Sequence, residues 1–140
     1  MKRIFFVLAL LALPVAAEDT RQFAKLTPEA RETLRLEMFD NLLALNNILT
    51  LLAANQVKEA GEVAEKELGR GAMGKNRHLP FEARPGPQML RDMHQLAIAG
   101  HFAASDFATA AASGDREKAL AALPAVTGTC IACHATYRTR

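Results

Sequence analysis

Tryptophan is absent from this 140-residue chain, tyrosine occurs once and cysteine only twice. Serine is equally scarce: Ser105 and Ser113 are the only two. Neither sits in a nucleophile elbow or a triad setting, so serine-based hydrolysis has poor raw material. Two cysteines cannot build a disulfide framework, and no Cys/His spacing outside the Cys130 to His134 stretch fits a zinc site. No segment alternates apolar and polar residues long enough to read as a sheet strand. Internal repeats and low-complexity tracts are missing too. What remains is rich in alanine and leucine, which suits one helical domain.

An excess of charge is also lacking once the first residues are set aside. Met1 to Ala17 reads as a cleaved secretory signal, with Lys2 and Arg3 as its charged start, Ile4 to Leu13 as its apolar middle and Val15-Ala16-Ala17 as the cleavage site. The apolar run is too short for a permanent membrane anchor. The whole chain has 17 basic and 15 acidic residues, and the signal holds two of the basic ones, so the mature chain balances at 15 against 15. Nothing argues for nucleic acid as a partner. The expected location is the periplasm.

Residues 18–140 divide into four helical patterns. Thr27 caps a helix that Pro28 opens, and Leu34, Met38, Leu42, Leu45, Leu49 and Leu52 recur at spacings of three and four up to about Ala54. A helix of that length, roughly 40 Å, implies a bundle in so small a protein. Asn55 reads as its C-cap. A second helix is expected from about Gln56 to Leu68, with Val57, Ala60, Ala64 and Leu68 inward and Gly69 as its stop. After a Gly-, Pro- and Arg-rich connection, Pro87 opens a third helix running to about Ala112, with Leu90, Met93, Leu96, Ala97, Ala104, Phe107 and Ala108 on its apolar side. Asp115 caps a fourth, carrying Ala119, Leu120 and Leu123 inward and continuing to Tyr137, with a kink or break expected at Pro124. The fold class is therefore all-α, an antiparallel up-and-down four-helix bundle, which builds cofactor sites in its core.

Both cysteines belong to Cys130-Ile131-Ala132-Cys133-His134, the Cys-x-x-Cys-His attachment pattern of c-type haem. On a helix these three side chains stand at i, i+3 and i+4 and face one porphyrin, with two thiols for the vinyl groups and an imidazole for the iron. A redox Cys-x-x-Cys pair would want a βαβ context that this chain does not show. One covalent haem c is the expected cofactor.

That motif on the last helix of an exported four-helix protein resembles the class II c-type cytochromes, the cytochrome c-prime family. The tail Cys130 to Arg138 is similar to the family's ending, in which an aromatic residue and an arginine follow the haem histidine. The resemblance implies that Arg138 shares the face of His134 and that Tyr137 packs nearby. It also implies that the first helix supplies the sixth position of the iron. There the chain reads Leu36-Glu37-Met38-Phe39-Asp40-Asn41, similar to the segment around the methionine ligand of the low-spin branch. By pattern alone Met38 is a flexible core filler; by resemblance it is the distal ligand opposite His134. Where the family has an arginine four residues earlier, Leu34 stands here, which leaves Arg31 and Arg35 as candidate propionate partners or as a solvated helix face.

Two histidines compete with Met38. His94 and His101 lie on nearly one face of the third helix, beside Met89 and Met93, and read as alternative haem ligands, as a second metal site or as ordinary partly buried side chains. Gly100, next to His101, reads as a close helix approach or a bend. Gly69-Arg-Gly71-Ala-Met-Gly74 satisfies a dinucleotide fingerprint literally, but it follows a helix end rather than a strand, so it reads as a flexible connection. Arg70, Lys75, Arg77, His78 and Arg84 make residues 70–84 a basic loop, either solvated or able to steer an acidic redox partner. Glu59, Glu62, Glu65 and Glu67 beside Lys58 and Lys66 read as solvent-facing pairs.

The function these features imply is electron transfer without a catalysed reaction, with redox proteins as partners and, by resemblance, a homodimer as one expected state. The alternative is a five-coordinate, high-spin protein binding nitric oxide or carbon monoxide. Weak peroxidase activity, with His94 or His101 as acid–base group, stands third.

Overall fold

The computed structural model describes residues 18–140. The Met1 to Ala17 segment, read as a signal, lies outside them. The described chain is predominantly helical, with four α-helices and one two-residue strand pair. Helix α1 spans Pro28–Ala53, α2 Val57–Val63, α3 Arg91–Ala111 and α4 Arg116–Thr136. Strand β1, Gln22–Phe23, pairs in parallel with β2, Tyr137–Arg138, and joins the two ends of the described chain.

Local sequence explains the ends of these helices. The Thr27 side chain accepts from the amide of Ala30 at 3.2 Å, ahead of Pro28. Asn55 lies just past the end of α1 with φ of 60°, the left-handed conformation that asparagine tolerates better than most residues. Asp115 Oδ1 accepts from Glu117 and Lys118 at 3.0 and 3.1 Å, a two-bond cap for α4. The second helical segment reaches Leu68 as expected, but Ala64–Leu68 is π-helical, with the Gly69 amide donating to the carbonyl of Ala64 at 2.8 Å. Such widened turns often accompany functional sites.

Three expectations are corrected. Helix α3 begins at Arg91 rather than Pro87, because Gly86–Gln88 forms a 3₁₀ turn and Leu90 is extended. Gln88 holds that arrangement in place: its amide nitrogen donates to the carbonyls of Phe81, Glu82 and Arg84, and its oxygen accepts from Thr27 N at 3.0 Å. Helix α4 continues unbroken through Pro124. Pro124 and Leu120 lie on the exposed side, so water can satisfy the carbonyl that the proline leaves unpaired. Finally, α4 stops at Thr136, and the last residues turn into β2.

The core is built mainly from small side chains. Ile48, Leu52, Val57, Ala60, Ala64, Ala104, Phe107, Ala111, Ala119 and Val126 form one buried cluster joining all four helices. Gly61 lets α2 press onto α3, since a Cβ there would lie 2.9 Å from Ala111 Cβ and 3.1 Å from the Ala108 carbonyl oxygen. A second cluster gathers Ala24, Leu34, Met93 and Tyr137, with Cys133 packed against it.

The apolar stripe of α1 divides in two. Leu34 and Leu52 are buried, whereas Met38, Leu42 and Leu49 are more than a third exposed. On α4, Ala119 is buried but Leu120 is exposed. Among the described residues only α4 is long and apolar enough to cross a membrane, and little of it is buried.

Candidate functional site

The exposed stretch of α1 and the exposed stretch of α4 face one cavity of about 1020 Å³. That is the upper end of the range for small-molecule sites, roughly 300–1,000 Å³. Leu34, Met38, Leu42 and Leu45 line it from α1; Val126, Thr129, Cys130, Cys133 and His134 line it from α4; His94, Ala97, Ile98 and His101 line it from α3. Members of both buried clusters form its walls, Val126 from one and Leu34 from the other. The apolar period on α1 therefore marks two different burials, one against protein and one against the cavity.

Cys130, Cys133 and His134 reach the cavity together because α4 stays helical through all three. Both thiols are free. Cys130 Sγ lies 3.6 Å from the Val126 carbonyl oxygen. Burial, and to a lesser extent the neighbouring Cys130, push the Cys133 thiol up. His134 is exposed on the cavity side, and its backbone carbonyl accepts from Arg21 at 3.3 Å. Among the described residues no three His, Cys, Asp or Glu side chains converge to hold a bare metal ion.

Gly100 makes the approach of α3 to this stretch close: a Cβ there would stand 3.1 Å from Thr129 Oγ1, one residue before Cys130. Of the two readings open for Gly100, close approach is the one observed.

Both histidines of α3 also line the cavity. His101 Nδ1 lies 2.7 Å from the Leu68 carbonyl and 3.1 Å from that of Gly69. A bond to either carbonyl requires the proton on Nδ1. The ring is thereby tied to the π-helical end of the second segment. Ser105, buried on α3, donates to Glu65 and accepts from the Arg70 amide at 2.9 Å; the other Glu65 oxygen accepts from Gly71 N at 3.1 Å. Glu65 is thus an internal clamp rather than a solvent-facing partner. Its carboxyl is held below the ordinary range, chiefly by the Ser105 hydroxyl. Nothing in the sequence signals a pairing between residues 65 and 105.

Glu37 was likewise not legible as a site residue. It lines the cavity next to Met38, accepts from the Asn76 amide, and has its carboxyl pushed up by burial. Of the basic loop, Lys75, Arg77 and Arg84 line the cavity, while Arg70 lies over the Phe102 ring at 5.5 Å. Arg35 also lines it, paired to Glu32 at 2.7 Å, whereas Arg31 is exposed elsewhere. Arg84 Nε is sealed from solvent and has no hydrogen-bond partner, which is true of no other buried side-chain atom among the described residues.

Arg138 departs from its expected place. Because the helix has ended, its guanidinium lies over the Phe23 ring at 5.3 Å, and its Nε is 3.8 Å from Asp19 and 3.3 Å from the Arg21 carbonyl. It does not line the cavity. Tyr137 is buried in the cluster that also packs Cys133, as expected.

No family model, characterised protein or solved structure matches the chain. The donor set itself bears on the group that fits: two thiols at Cys130 and Cys133, imidazoles at His94, His101 and His134, and thioethers at Met38, Met73 and Met89 line an apolar-walled cavity, together with the unpaired Arg84.

Proposed function

We propose that the protein is an exported electron carrier, an antiparallel four-helix bundle holding one covalent haem c. Cys130 and Cys133 are the thioether donors, His134 the proximal ligand and Met38 the distal one. The observation that carries this reading is the shared cavity: residues from opposite ends of the chain, matching the haem motif and the methionine of the first helix, line the same space.

The group supplies a one-electron iron couple when bound. The chain's part is to hold it rigidly and keep water away. Cys130 and Cys133, three apart on α4, would fix the haem to that helix, and Met38, Leu42 and Leu45 line the same cavity from α1. With His134 and Met38 both holding the iron, little would have to move on electron transfer, and a methionine ligand would favour the ferrous state. The exposed Met38, Phe39 and Leu42 of α1, which line the cavity, would also gain a cover, at roughly 25 cal/mol per Å² removed from water. On this reading the stretch of α4 from Val126 to His134 serves as a cavity wall, in keeping with a protein released after signal cleavage.

The test is the visible spectrum of the ferrous protein with and without carbon monoxide. Sharp α and β bands that carbon monoxide leaves unchanged support the carrier. A broad high-spin spectrum that shifts on adding the gas would replace it with the five-coordinate, gas-binding alternative.

A further inference from the structure

Arg84 is the residue the fold leaves unexplained. It comes from the loop before α3 and lines the cavity, with its side chain partly buried against the Phe81 ring at 5.6 Å. Its Nε is buried without a partner, and among the described residues it has no ion pair. A guanidinium donor sealed from water and unpaired is costly, and such an atom in a native fold needs a reason. Its backbone is not free to relax the problem, since Gln88 Nε2 donates to the Arg84 carbonyl at 3.2 Å while Gln88 Oε1 accepts from Thr27 N. The clamp fixes the loop against the start of α1.

The charge around the cavity points the same way. Arg35, Lys75, Arg77 and Arg84 line it against only two carboxylates, Glu37 and Glu67. Arg35 already pairs with Glu32, Lys75 with Asp40 at 3.6 Å, and Glu67 with Lys66. Arg77 and Arg84 are the two cavity cations without a carboxylate among the described residues. The cavity therefore suits an occupant that is apolar over most of its surface and carries carboxylates for these cations.

We propose that Arg84 binds a propionate carboxylate of the haem through its guanidinium, with Arg77 the other cavity cation that lacks a carboxylate. This rests on the haem reading above and extends it to the edge of the group. Guanidinium suits the task because its fixed donor fork matches a carboxylate. Neither Arg31 nor Arg35, the candidates nearest Met38 in sequence, is left unpaired in the cavity.

Two readouts test it in the full-length protein. In the haem-loaded chain, the propionate-bending band in the resonance Raman spectrum should shift to lower frequency in Arg84→Gln and recover in part in Arg84→Lys, with the axial-ligand bands unmoved. The denaturant midpoint of that chain should fall in Arg84→Gln, while the same change in the haem-free chain, where it only removes an unpaired buried donor, leaves the midpoint level or raises it. Equal losses in both forms would assign Arg84 a structural role and overturn the proposal. So would a propionate band indifferent to both variants, which decides the matter even if the haem-free chain shows no cooperative transition. A wild-type chain that matures without haem would overturn the haem reading and this one together, whereas haem-loaded protein with an unmoved band overturns this one alone.

Discussion

Met38 on α1 and His134 on α4 line the same cavity, each partly open to it. Met38 is 38% exposed, so it contributes little to the packed core. Met38→Ala should therefore leave the haem-free chain within about 1 kcal/mol of its stability by urea unfolding. The haem-loaded variant should become high-spin and bind carbon monoxide. Unchanged low-spin bands would exclude Met38 and turn attention to His94 and His101, which line the same cavity.

Helix α2 meets α3 at Gly61. Gly61→Ala should destabilise the protein by about 1–3 kcal/mol in denaturant unfolding, because the Ala108 carbonyl oxygen 3.1 Å away is backbone and cannot swing aside. Helix propensity alone points the other way, favouring alanine by about 1 kcal/mol. A stabilised variant would show that the two helices can separate at no cost.

This contrast separates what the sequence could say from what it could not. Helix α1, the Thr27 and Asp115 caps and the Cys130 to His134 motif were legible because each rests on local periodicity or on one side chain reaching its own turn. The start of α3 was not, because Gln88 holds Pro85 to Met89 out of the helix through bonds to a loop and to Thr27. Likewise the α1 stripe included Leu34 and Leu52, which are buried, but also the exposed Leu49, missed the buried Ala44 and Ile48, and could not say that Met38 and Leu42 stand exposed at the cavity. Arg138 was misplaced because β1, too short to carry an alternating pattern, captures the tail just past the haem motif.

Ser105→Ala should cost about 1 kcal/mol near neutral pH, since the Arg70 amide and the Glu65 carboxylate both lose a partner. Glu65 is held below its ordinary range when folded, so its contribution is present above the unfolded-state value and fades as pH falls through the folded one. The gap between wild type and variant should accordingly narrow on acidification. A gap constant down to the acid transition would show that the Ser105–Glu65 bond carries no linkage.

Arg138→Ala should leave the visible bands and the reduction potential unchanged, because Arg138 engages Phe23, Asp19 and Arg21 outside the cavity. The stability loss should stay within about 1 kcal/mol, as for exposed ion pairs and cation–π contacts. A shifted potential would instead place a cation beside His134, as the family's pattern implies.

Covalent attachment at Cys130 and Cys133 is tested most directly by the intact mass of the denatured protein, purified from a host that exports it and attaches c-type haem. The expected mass is that of the chain from Glu18 to Arg140 plus one haem, and the added mass should disappear in Cys130→Ala/Cys133→Ala. A wild-type mass equal to the bare chain, with the two cysteines as thiols or as a disulfide, would contradict it.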